Sequence, residues 1–167
     1  ILVGTRIPIP SHERAPARYD FSADLAALGG ERLPMSLITD PRAGPRTGAA
    51  FSYDNTLIVR GAETGAFHQR IPVPIGMWNP SKAMTARLQL NGSGVIDLHG
   101  QRAAVLICYE QLLTWPVLVS MVQRPTVLVA VANDYWVAGT PIPAFRLAAV
   151  RAWARLFRLP YFSAVNT

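Results

Sequence analysis

Cysteine is all but missing from this chain: 167 residues contain one, Cys108. That excludes an internal disulfide and a thiolate zinc site, and leaves the redox compartment open. Histidine is nearly as scarce. His12, His68 and His99 show no HxxxH or HExxH spacing, so they read as turn or surface residues, and no metal or cofactor is expected. Lysine is reduced to Lys82, all other basic residues being arginine, within a formal net charge of +6. The arginines form no run and do not interleave with aromatics, so direct nucleic-acid binding is not expected. No stretch reaches the roughly 18 uncharged apolar residues that a membrane span needs, the longest candidates being broken at Gln123, Arg124 and Pro125. An initiating methionine and a signal peptide are also lacking, and Ile1 begins inside what reads as a strand. The expectation is a segment of a longer protein.

Half of the residues are apolar, enough for one domain with a sizeable core. ILVGTRIPI reads as a strand, residues 16 to 30 as a short helix ended by Gly29 and Gly30, and MSLIT (35 to 39) as a weak strand. Two better strands, 50 to 59 and 64 to 73, are spaced like a hairpin and lead into a proline-rich bend at 72 to 80. GVIDL and RAAVLIC flank HGQ as a second hairpin-like pair. From residue 105 the pattern becomes strand, helix, strand, helix, strand, the alternation of a layered α/β architecture. VLIC and TVLVAVA are unbroken apolar runs, as expected for strands covered on both faces. Between them Thr114 is placed to cap a helix with Pro116 in its first turn. In the helix over 143 to 159, Phe145, Ala149, Ala152, Trp153 and Leu156 share one face, expected to be buried, while Arg151, Arg155 and Arg158 form a solvated one.

A cysteine closing a buried strand is most often a small hydrophobe. Cys108, however, stands where a strand ends and a helix soon begins, the usual place for an activated nucleophile on a layered sheet. Glu110 follows two residues later, as a site carboxylate or as a helix-start carboxylate. Asn133, Asp134, Tyr135 and Trp136 end the next strand and should share the pocket mouth, although a strand-end turn explains Asn-Asp equally well.

The stretch ICYE, followed by AND-YW and by RAWARLFRLPYFSAVNT, resembles the carbon-nitrogen hydrolase (nitrilase) superfamily. Within it, the apolipoprotein N-acyltransferases carry ICYE, SNDAWF and RAxExxRPxxRATNTG. ICYEQLLTWPVL and PVPIGMWNP further resemble the TraB family of conjugal transfer proteins of Ti-type plasmids. The resemblance implies a nitrilase-like α-β-β-α sandwich, truncated at both ends, for the partial domain 1–167. It implies a Glu-Lys-Cys triad in which the glutamate is the general base, the lysine steadies the oxyanion and the cysteine forms a thioester.

Carried over residue by residue, Cys108 takes the nucleophile position with Tyr109 and Glu110 beside it. Registering FHQRIPVPIGM on YxKxxLVPFGE puts Gln69 at the lysine and Met77 at the last glutamate, while Ala154 replaces the glutamate of RAxE. Arg70 should point away from Gln69 if the segment is a strand. The base falls upstream of Ile1, with any membrane segments. The candidate catalytic residues are thus Cys108, Glu110 and Gln69, and the candidate substrate contacts Tyr109, Asn133 and Trp136. The implied setting is a conjugation apparatus at the bacterial inner membrane, the domain on the periplasmic side. The implied partners are apparatus proteins and an acyl or amide substrate. Two functions remain open: acyl transfer through Cys108, or a catalytically degenerate assembly module.

Overall fold

The computed structural model describes residues 18–23, 33–40, 51–59, 65–81, 84–98, 100–134 and 137–166. Its first sheet runs β1 (Arg18–Ala23), β2 (Leu33–Asp40), β3 (Phe51–Val59) and β4 (Gly65–His68), each antiparallel to the next, with β5 (Met84–Ala86) parallel to β3. The second sheet has the order β6 (Val95–Leu98), β7 (Gln101–Ile107), β8 (Val127–Asn133) and β9 (Tyr161–Asn166). β6 and β7 form the second hairpin, turned by Gly100 at φ 73°, a left-handed conformation that glycine adopts without steric cost. β7, β8 and β9 are parallel, and their crossovers contain α1 (Thr114–Val122) and α2 (Ile142–Phe157).

Two cores follow from this layering. Leu57, Val59 and Phe67 of the first sheet meet Val105, Ile107, Val129 and Val131 of the second. On the other face of the second sheet, Ala104, Leu106, Leu128 and Ala130 receive Val117 of α1 and Val150 and Ala154 of α2. Every residue of β8 is buried. Full burial of a Val or Leu side chain contributes about 1.5–3 kcal/mol, so the strand covered on both faces anchors the domain. The described residues thus supply three layers, helix, sheet and sheet, of a nitrilase-like sandwich.

The strand and hairpin expectations at 35 to 39, 50 to 59 and 94 to 108 hold, as does the alternation from residue 105 onward. Four expectations change. The helix over 16 to 30 is replaced, where described, by β1: Arg18 to Ala23 pair with Leu33 to Ile38, so sheet pairing overrides local helix preference. The strand over 64 to 73 stops at His68, because Gln69 and Arg70 turn inward to polar partners. Thr114 is the first residue of α1 rather than its cap; Leu113 takes the N-cap position with extended backbone and no side-chain bond. On α2 the buried residues are Arg146, Val150 and Ala154, whereas Phe145 and Leu156 are each 65 % exposed. Arg151, Arg155 and Arg158 are exposed as expected. The strand expected at ILVGTRIPI, together with His12, His99 and Lys82, lies outside the described residues. No helix among the described residues is long and apolar enough to cross a membrane.

Candidate active site

β7 delivers Cys108 to the carboxyl end of the second sheet, where a single 3₁₀ turn, Cys108–Leu112, begins. Cys108 has φ 52°. For an L-residue the left-handed region costs about 1–2 kcal/mol, so neighbouring contacts must hold the backbone there. Glu110 supplies them. Its Oε2 accepts the Ile107 N–H at 3.0 Å, and its Oε1 accepts the N–H groups of Arg70 at 2.7 Å and Ile71 at 3.1 Å. The carboxylate is fully buried and clamps the segment after β4 to the end of β7.

Arg70 neutralises that carboxylate through Nε at 3.3 Å. Its Nη1 donates to the Pro116 carbonyl and to Ser120 Oγ, both at 3.1 Å, and its Nη2 to the Val105 carbonyl at 3.3 Å. Strand β7, helix α1 and the segment after β4 thus meet on one buried guanidinium. Gly94 makes room for it, since a Cβ there would lie 2.6 Å from Arg70 Nη1 and 2.7 Å from Ser120 Cα. Burial pushes the Glu110 carboxyl above its ordinary range, against the pull of Arg70 and the N–H groups. Burial likewise lowers Arg70, with Glu110 opposing.

Gln69, which the sequence resemblance aligns with a lysine, is also buried and reaches the same strand end. Its Nε2 donates to the carbonyls of Ile71 at 3.1 Å and Ile107 at 3.3 Å, which engages both amide hydrogens. Its Oε1 accepts from Asn55 Nδ2 at 2.8 Å. Asn55 Nδ2 also lies 3.8 Å from the sulfur of Met77, the residue at the motif's last glutamate. Asn55, Gln69 and Met77 thus form a neutral side-chain group beside the end of β7.

The Cys108 side chain is half-buried against the core between the sheets. Burial pushes its thiol up, opposed by the Arg146 charge and the Tyr109 N–H and reinforced by Asp134 and Glu110. Arg146 and Asp134 form a buried two-pronged ion pair between α2 and the end of β8. Gln111 fastens the neighbouring strands, donating from Nε2 to the carbonyls of Leu106 at 3.2 Å and Val131 at 3.0 Å. Its own carbonyl accepts from Trp153 Nε1 at 3.0 Å, which docks α2 on the turn.

Cys108, Glu110 and Gln69 therefore converge on one strand end. Tyr109 lies half-buried in the turn, Asn133 is buried at the end of β8, and Trp136 falls outside the described residues. Arg70 does not point away from the site, because β4 ends before strand alternation reaches it. Asn55, Arg70, Gln111 and Arg146 were not visible as site residues in sequence. The one hint for Arg146 was a lone charge within the otherwise apolar PIPAFRLAAV.

Over 122 residues, 69% of its length, the chain is 40% identical to the conjugal transfer protein TraB of Agrobacterium fabrum (strain C58 / ATCC 33970). The chain is thus similar in sequence to TraB conjugal transfer proteins. It is 38% identical over 140 residues, 80% of its length, to the probable conjugal transfer protein TraB of Sinorhizobium fredii (strain NBRC 101917 / NGR234). The matched part is 29% and 35% of those TraB relatives, so the chain spans about a third of their length. No protein-family model matches. The fold is that of a carbon-nitrogen hydrolase from Helicobacter pylori G27, with TM-score 0.58 at 15% identity over 80% of this chain and 45% of that one.

Proposed function

We propose that this domain is a carbon-nitrogen-hydrolase-fold assembly module of a conjugal transfer apparatus, in which the cysteine elbow persists as architecture and oxyanion chemistry has been lost. The observation that carries this reading is the saturation of Gln69. Both amide hydrogens are spent on the carbonyls of Ile71 and Ile107, so the side chain at the lysine position carries no charge and offers no donor to a developing anion. The raised Cys108 thiol agrees, since nucleophilic attack needs the thiolate. An elbow without charged partners suits a surface for apparatus proteins at the inner membrane, with the domain on the periplasmic side. Protease accessibility in spheroplasts checks that placement, and protection equal to that of a cytoplasmic marker contradicts it.

A second reading is favoured by the left-handed backbone of Cys108, a strain that packing alone does not require. Here the thiolate attacks an acyl carbon, forms a thioester and expels an amine or alcohol. Intact-mass analysis of the full-length protein with lipid and amide acyl donors separates the two. The module reading expects no adduct that depends on Cys108, and a stoichiometric, hydroxylamine-sensitive adduct overturns it.

A further inference from the structure

Away from the elbow, the carboxyl-terminal half of α2 and the start of β9 enclose a groove of about 490 Å³, lined by Arg151, Arg155, Arg158, Leu159, Pro160 and Tyr161. Its charge is all of one sign. Arg151 and Arg155 are one helical turn apart, where like charges repel. Arg158 closes the helix in the left-handed conformation at φ 54°, which brings a third guanidinium to the same groove. The described ion pairs use Arg70, Arg87, Arg102 and Arg146; none of the three groove arginines has a carboxylate partner among the described residues. Ala154, which also lines the groove, brings no charge. The partial negative charge of the helix end offsets only a fraction of three guanidinium charges.

The groove also has fixed geometry. Arg151 Nε donates to the Tyr161 hydroxyl at 3.3 Å, which orients that guanidinium across the gap between helix and strand. Its two Nη atoms have no described partner. Planar guanidinium forks match phosphate oxygens in paired hydrogen bonds. We infer that this groove binds a phosphate group, presented either by a soluble phosphate ester or by the headgroup of an anionic lipid. The site is independent of Cys108 and of the proposed function.

The test uses full-length protein, with Arg151→Gln/Arg155→Gln as the altered form and Arg102→Gln, an exposed arginine elsewhere, as the control. Calorimetry with pyrophosphate and sedimentation with phosphatidylglycerol vesicles, against phosphatidylcholine vesicles, are the two arms. The expected result is saturable binding in at least one arm, weakened at least tenfold in the double variant and unchanged in Arg102→Gln. Pyrophosphate binding identifies a soluble ester as the source, and binding confined to anionic vesicles identifies the lipid headgroup. Absence of saturable binding in both arms, or equal binding by the double variant, overturns the inference. Equal melting temperatures of the variants confirm that folding is not what changed.

Discussion

The side-chain amide of Gln69 donates to the carbonyl of Ile107, the residue immediately before Cys108, at 3.3 Å. Gln69 thereby fastens the strand that presents the cysteine. Gln69→Glu is nearly isosteric, yet it aims a carboxylate at two carbonyls. It should therefore be the least stable substitution at this position. Gln69→Leu should cost about 1–3 kcal/mol, since it removes the donor to the buried Ile107 carbonyl and to the Ile71 carbonyl. Urea unfolding gives the order; a neutral Gln69→Glu would contradict these bonds.

Removing the Glu110 charge should be severe. Glu110→Gln leaves Arg70 buried without its counter-charge and turns one of the two oxygens that together accept three backbone N–H groups into an amide donor. A loss of about 3–5 kcal/mol is expected from breaking one side of a buried pair. A loss below about 1 kcal/mol in equilibrium unfolding would mean that the clamp is slack.

The left-handed backbone of Cys108 gives a comparison of opposite sign to the usual one. At an ordinary extended position glycine is less stable than alanine by about 0.5–1 kcal/mol. At φ 52° the steric cost to alanine is relieved, so Cys108→Gly should match Cys108→Ala or exceed it by up to about 1 kcal/mol. Thermal unfolding of the pair reads the difference. Alanine being clearly the more stable of the two would remove the elbow.

Thiol titration checks the electrostatics. Because burial raises the Cys108 thiol, the folded state holds its proton longer than the unfolded chain does. The associated stability is fully present below about pH 8.5, the ordinary thiol value, and is lost as pH rises through the higher folded value. The iodoacetamide rate should accordingly have its midpoint above that of a free thiol. Asp134→Asn should move the midpoint down and Arg146→Gln should move it up, as their charges demand. Shifts of the same sign in both variants would show a packing effect instead.

What sequence revealed and what it hid divides along physical lines. VLIC and TVLVAVA were legible because strands buried on both faces need no polar residue, and the elbow was legible because Cys108 and Glu110 follow such a run. The buried face of α2 is hidden in sequence because Arg146, not Phe145 or Leu156, lies on it. Arg146 is buried because Asp134, twelve residues earlier, pairs with it, and that partnership is tertiary. Arg70 was hidden for the same reason, its partners lying 35 to 50 residues away. The residues of β1 suggest a helix because sheet pairing with β2 is not written in their own sequence.

The decisive measurement is plasmid transfer frequency with Cys108→Ala in the full-length protein, expressed at wild-type level. A structural elbow predicts transfer within about threefold of wild type, because alanine keeps the strand end and loses only the sulfur; roughly 0.65 kcal/mol corresponds to that factor. A fall of about a hundredfold or more, with the protein present and folded, would contradict it and assign the thiol a chemical role.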